Sequence, residues 1–325
     1  MYELRPGSFD ASDMEPTQQV WIGTVPIKVS NKYLFFSNPP AIHMRILALL
    51  LVLTCLTAVE RAGADDRPAK AKSDAPSSGK KSQWSGWDQF SLPCDGKSAK
   101  IVVPRETAPG KPWLWRGEFF GAFPSVDLAL LAKGWHVVYL NGCSNTFGSP
   151  DSMEHWAALY KMLTQDYGFS KKPVLYGMSR GGLYVYNWAA AHPDSVGMIF
   201  GDAPVCDIHS WPGGKGEGKG SPGDWKMFMH VYHLNTEQEA INWKQYNPID
   251  ILAPIAKAKI PIIHVAGDAD DIVPIDENTM VIKRRYEKLG GHVELIVKKG
   301  VGHHPHSLAD PTPIVDYILK NRIQD

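Results

Sequence analysis

Short runs of almost wholly apolar residues recur along the chain, and each is followed by a stretch of helical spacing. "AKIVVP" (99–104), "PWLWRG" (112–117), "WHVVYL" (135–140), "PVLYGM" (173–178), "VGMIFG" (196–201), "PIIHVAG" (261–267) and "VELIVKK" (293–299) have the length of strands. Strands without polar alternation are buried on both faces, which requires a largely parallel sheet covered by helices. The intervening segments supply them. "SVDLALLAKG" (125–134) has helical spacing and a glycine stop. Ser149-Pro150 offers an N-cap and a first-turn proline. Met153, Trp156, Tyr160, Leu163 and Tyr167 then form one apolar face, ended by Gly168. Further helices are predicted over 180–191, 276–291 and 311–320. The expected class is α/β, with a mostly parallel central sheet and helices on both faces.

One segment breaks this rhythm. About sixty residues separate the strands at 196–201 and 261–267, far beyond an ordinary connection. "SWPGGKGEGKGSPGDW" (210–225) reads as a mobile loop, and short helices follow it. A lid spanning about 207–258 is expected after the sixth strand, over the carboxyl ends of the strands.

The N-terminus is composite. Residues 1–43 show no sustained period and are expected to be an unstructured upstream extension. Met44-Arg45, an apolar run and Ala62-Gly63-Ala64 describe a secretory signal peptide over 44–64. The apolar run is short for a membrane span, so no stable membrane insertion is expected after cleavage. The Ala-, Lys-, Ser- and Pro-rich residues 65–83 read as a disordered linker, and the folded domain is expected over 84–325. The implied location is secreted or periplasmic. Export permits a disulfide, but the spacing of Cys94, Cys143 and Cys206 selects no pair. Formal net charge is zero, which leaves no electrostatic footprint for nucleic acid.

The chemistry concentrates at "YGMSRGGLY" (176–184). Ser179 stands in G-x-S-x-G between a predicted strand and a predicted helix, the context in which such a serine is exposed on a sharp turn. The helix N-terminus behind it favours developing negative charge. The plain alternative is a structural serine in a βα turn. A serine hydroxyl needs a base, and the base needs an orienting acid. Asp268, Asp270 and Asp271 follow the strand at 261–267. His303, His304 and His306 follow the strand at 293–299. The order Ser, Asp, His is the one this architecture demands. Asp202, just after the strand at 196–201, is a rival acid.

"GDADDIVP" resembles the G-x-x-D-x-x-V-P acid loop of the α/β-hydrolase superfamily, and "GVGH" resembles its histidine loop. The resemblance implies Ser179 as nucleophile, Asp270 as acid and His303 as base. Oxyanion N–H groups would come from Arg180 and from the loop after "PWLW", where Arg116-Gly117-Glu118 replaces the more usual His-Gly-x and position points to Glu118. Within the superfamily the chain is similar to secreted bacterial esterases associated with carbohydrate esters. The expected activity is that of a serine hydrolase cleaving a carboxylic ester through an acyl-enzyme, on a small-molecule or polysaccharide substrate. Amide cleavage and an inactive binding module are the alternatives. No cofactor is expected. "HHPH" could hold a metal, yet the triad already accounts for the loop and no second ligand-spaced motif appears, so no metal is expected. Arg116 and Trp211 are candidate substrate contacts, and Trp113, Trp115, Trp225 and Trp243 are further stacking surfaces. Each has a structural alternative as an ion pair or as core.

Overall fold

The apolar runs pair edge to edge into one nine-stranded sheet. In this computed structural model, residues 79–325 are described, and they lie within a single compact unit, Lys70–Asp325. The expected extension 1–43 and signal peptide 44–64 fall outside the described residues. The strands are β1 (Lys80–Trp84), β2 (Trp87–Cys94), β3 (Lys97–Val102), β4 (Trp113–Arg116) and β5 (His136–Asn141), followed by β6 (Val174–Met178), β7 (Met198–Asp202), β8 (Ile262–Gly267) and β9 (Val293–Lys298). Their order across the sheet is β1-β2-β3-β5-β4-β6-β7-β8-β9. The pairs among β1, β2, β3 and β5 are antiparallel. All the pairs from β5 to β9 are parallel.

Two strands were not expected. β1 lies at the end of the segment read as a disordered linker, so the domain starts at least four residues before the predicted boundary at 84. Its first four residues are polar and exposed and only Trp84 is half-buried, so β1 is defined mainly by pairing with β2. β2 alternates, with Phe90, Leu92 and Cys94 buried. With both unexpected strands counted, the strand that precedes the lid is the seventh in chain order, β7, and not the sixth.

Strand order reverses beside β4. The chain runs from β4 to β5 on one side and then crosses to β6 on the other. Loops at the carboxyl ends of β4 and β6 diverge at such a switch point and leave a crevice. Ser179 follows β6 and Glu118 follows β4, so both lie at its rim.

The sheet separates two cores. Trp113, Trp115, Val138, Leu140, Leu175 and Ile199 face one side, where α2 (Pro150–Lys161), α3 (Gly181–Ala191), α6 (Leu252–Lys257) and α7 (Thr279–Lys288) pack. Leu114, Val137, Val174, Tyr176 and Phe200 face the other, beneath α1 (Ser125–Ala132) and α8 (Thr312–Asn321). Pro150 sits in the first turn of α2 as expected, but the Ser149 hydroxyl makes no cap bond. A third apolar cluster underlies the insertion, which carries α4 (Pro222–Val231) and α5 (Glu237–Ile241). Its glycine-rich segment is not loose. Lys215 N–H donates to the His209 carbonyl, Lys219 N–H to that of Asp271 and Ser221 N–H to that of Pro212. Among the described residues, no helix is long and apolar enough to cross a membrane. Cys94, Cys143 and Cys206 are all buried and free.

Trp113 and Trp115 are core residues rather than sugar-stacking surfaces. Both are fully buried, and Trp115 stacks on Trp156 at 4.2 Å and contacts Trp188 at 5.1 Å. Trp115→Ala should therefore destabilise the fold by about 3–5 kcal/mol, measurable as a lowered midpoint in urea denaturation.

Candidate active site

Ser179 sits at the tip of the turn between β6 and α3 with φ of +48°, in the left-handed region that non-glycine residues avoid. The turn is pinned from below. Ser179 N–H donates to the Asp202 carbonyl at 2.9 Å, and the Ser179 carbonyl accepts from Val205 N–H at 2.8 Å. The glycines on either side are needed for close approach. A Cβ on Gly177 would lie 2.7 Å from Val185 Cγ2, and one on Gly182 would lie 2.4 Å from the Val205 carbonyl oxygen. The tightest position is thus Gly182, just beyond the G-x-S-x-G pattern. Phe119, Phe123, Ala203 and Ser307 also have positive φ. Strained residues persist where the surroundings over-determine them, and they gather at functional sites.

The three expected side chains meet in line. Ser179 Oγ–H donates to His303 Nε2 at 2.9 Å, and His303 Nδ1–H donates to Asp270 Oδ2 at 2.7 Å. The carboxylate fixes the tautomer and leaves the Nε2 lone pair facing the serine. The other oxygen, Asp270 Oδ1, accepts from Ile272 N–H at 3.0 Å and Val273 N–H at 2.9 Å. Burial alone would raise the Asp270 pKa, but the His303 hydrogen bond and these amides together hold it below the ordinary carboxylate range.

The neighbouring candidates do other work. Asp268 accepts from Gly300 N–H at 2.6 Å and pairs with Lys299, bracing the start of the histidine loop. Asp271 pairs with Lys219 of the insertion. Asp202 is fully buried and engages His306 rather than His303. Its carboxylate accepts from Ser307 N–H at 2.7 Å, Tyr176 O–H at 3.1 Å and His306 Nδ1–H at 3.3 Å. Nothing in the sequence pattern marks His306 as its partner, because their separation of 104 positions closes only in the fold.

Arg116 is not a substrate contact. It is 1% exposed, and its Nε lies 3.0 Å from Asp127 Oδ1. It donates to the Phe119 carbonyl at 2.7 Å and the Ala122 carbonyl at 3.0 Å, and its guanidinium covers the Tyr176 ring. Arg116 therefore shapes the loop that Glu118 begins. The Glu118 amide packs against the first turn of α3, since a Cβ on Gly181 would stand 3.5 Å from it. Neither this amide nor that of Arg180 donates to another described residue. The Glu118 side chain is buried 3.5 Å from Arg180 Nε, and Arg180 Nη1 lies 3.7 Å from Asp224 of α4.

A cavity of about 380 Å³ opens above Ser179 and His303. Phe119, Phe123, Met178, Trp211 and Ile272 form its apolar walls, with no carboxylate among the lining residues. Trp211 lies where it was expected to matter. Trp225 is buried and donates to Glu237, and it does not line this cavity. The apolar walls had no readable signal, because Phe119 and Phe123 come from the loop after β4, Trp211 from the insertion and Ile272 from the acid loop.

Fold and site define a serine hydrolase of the α/β-hydrolase fold. The prolyl oligopeptidase family profile matches residues 139–320, and the chain belongs to that family. No curated protein sequence matches the chain. Dipeptidyl peptidase 4 of Porphyromonas gingivalis is similar in fold at a TM-score of 0.56 and 14% identity, over 75% of this chain and 36% of that one. A bifunctional GH43-CE protein of Bacteroides eggerthii gives 0.57 and 16%, over 72% and 38%. The acylaminoacyl peptidase of Pyrococcus horikoshii gives 0.52 and 17%, over 72% and 41%. The chain thus spans well under half the length of these structures.

Two outcomes follow from the buried charges. Arg116→Met leaves Asp127 unpaired and should cost about 3–5 kcal/mol in chemical denaturation, with part recovered in Arg116→Met/Asp127→Leu. Folding lowers the Asp270 pKa, so its contribution to stability is complete above the unfolded value of about 3.9 and is lost as pH falls through the folded one. The stability gap between the protein and Asp270→Asn should narrow as denaturation is repeated from about pH 6 down to about pH 3.

Proposed function

We propose that the protein is an exported serine hydrolase that cleaves a carboxylic ester of an apolar acyl group, carried on a carbohydrate or other alcohol. The reading rests on one observation, the continuous Ser179–His303–Asp270 chain of hydrogen bonds at the floor of an apolar cavity. His303 takes the proton as Ser179 Oγ attacks the ester carbonyl. Asp270 holds the ring and stabilises the imidazolium. The Arg180 and Glu118 amides take the oxyanion, at the N-terminus of α3. His303 then protonates the leaving alkoxide, and a water deprotonated by the same ring clears the acyl-enzyme. No charged group is needed to hold the acyl part, which fits walls of Phe119, Phe123, Trp211 and Ile272.

Amide cleavage is the second reading. The family match and the peptidases among the similar structures favour it. Against a peptide with a free amino end stands the cavity lining, which offers no carboxylate to an ammonium group. Ester and anilide substrates sharing one aromatic acyl group discriminate the two. The ester should be turned over and the anilide left uncleaved, and measurable anilide turnover at Ser179 overturns the ester assignment.

A fluorophosphonate probe should label the folded protein at Ser179 and leave Ser179→Ala unlabelled. Asp270→Asn should lower kcat by about 10⁴-fold, whereas Asp202→Asn should fall far less. Equal losses in both would transfer the acid role away from Asp270. Peptide mapping of exported protein should begin beyond Ala64, and peptides from residues 1–43 would contradict export by this leader.

A further inference from the structure

His303, His304 and His306 each place one ring nitrogen within 4.8 Å of the others, and all three line the cavity. The three rings stand nearly perpendicular in pairs, at 73°, 79° and 87°, with centroids 4.8–5.1 Å apart. Two of them are backed by carboxylates through Nδ1, His303 by Asp270 at 2.7 Å and His306 by Asp202 at 3.3 Å. A carboxylate that accepts the Nδ1 proton leaves Nε2 with a lone pair, which at His303 accepts from the Ser179 hydroxyl. The same carboxylate–histidine arrangement orients metal ligands and raises their basicity.

We propose that these three imidazoles form an inhibitory site for a borderline-soft divalent cation of the zinc type, which switches the triad off by taking the His303 lone pair. The inhibitory consequence rests on the hydrolase reading above, whereas the binding site itself does not. The Zn–N bond is about 2.0–2.1 Å, so the nitrogens must draw closer than they now stand. His304 is exposed, so its ring can move toward the other two while His303 and His306 keep their carboxylates. The ion displaces the Ser179 hydroxyl proton from His303 Nε2, and the serine keeps that proton and loses its base. The cavity leaves room for water at a fourth position. Hard cations such as Mg²⁺ prefer oxygen ligands, and the three side chains present none.

A packing role alone would predict none of this. Phe123 does lie against His304 and His306, at 6.0 and 5.3 Å, and Asp202 also braces the Ser307 amide. The two accounts part on binding, and Ser179→Ala is the background in which to measure it. That variant is catalytically silent but keeps every imidazole. Isothermal titration with Zn²⁺ should give one ion per chain, with no uptake of Mg²⁺. Adding His304→Ala or His306→Gln should weaken zinc binding by about tenfold or more. His304 is on the surface, so folding is not at stake for that variant. In the active protein, zinc should inhibit reversibly, with recovery on chelation. The half-inhibiting concentration for His304→Ala, referred to its own uninhibited rate, should rise by a similar factor. No zinc binding, or binding unmoved by both histidine substitutions, overturns the site. Zinc binding to the Ser179→Ala background alongside absent hydrolase activity would sink only the catalytic reading.

Discussion

Ser179 and His303 lie 124 positions apart and can meet only if the loop after β6 and the loop after β9 are held to a common point. Asp202, at the carboxyl end of β7 between them, supplies that point. Its backbone carbonyl takes the Ser179 N–H, and its carboxylate takes the Ser307 N–H and the His306 ring. A buried carboxylate is costly unless several donors satisfy it, and Tyr176 provides one more. The Tyr176 ring in turn lies under the Arg116 guanidinium, which carries the carbonyls of the oxyanion loop and pairs with Asp127. One chain of buried polar contacts thus underlies the nucleophile turn, the base loop and the oxyanion loop. A displaced loop would leave a buried charge without its partner, at far greater cost than a lost surface contact.

The central strands were legible because burial on both faces writes itself into sequence as an unbroken apolar run. The triad was legible for a related reason. Each member sits just past the end of such a run, in a loop whose glycines the backbone requires. What escaped was determined by partners rather than by local pattern. β1 is a polar edge strand whose identity lies in its hydrogen bonds to β2. Arg116 reads as a substrate contact or an ion-pair partner near the site, and only Asp127, from the first helix, makes it a core residue. Asp202 reads as a rival acid because its position after a strand is right. The fold gives it His306 instead of His303.

The glycine-rich part of the insertion misleads in the opposite sense. Glycine density suggests freedom, but several of these residues are glycine because the backbone passes close to other groups. A Cβ on Gly213 would lie 2.7 Å from the His209 carbonyl oxygen, and one on Gly218 would lie 2.9 Å from Pro274. Lys219 is fastened to Asp271, immediately beside the triad acid. The segment serves as a packed collar on the acid loop, and it delivers Trp211 to the cavity wall.

Arg180 shows how one position next to the nucleophile serves two ends. Its backbone is committed by the start of α3, which fixes where the amide points. Its side chain is left to reach outward, between Glu118 on the oxyanion loop and Asp224 on α4. The contacts are 3.5 and 3.7 Å, longer than the 2.7–2.9 Å typical of a charge-assisted hydrogen bond. The Arg180–Asp224 pair, at that length and with Asp224 one-third exposed, contributes on the order of 1 kcal/mol or less. It cannot be what fastens the insertion. That role falls to Phe147, Trp211, Trp225, Phe228 and Tyr232, buried together, with Tyr232 O–H donating to the Phe147 carbonyl and accepting from Asn187. Burial of a large side chain is worth about 1.5–3 kcal/mol, so five outweigh that ion pair severalfold. The lid is held by its own small core, and Arg180 makes its position felt at the oxyanion loop.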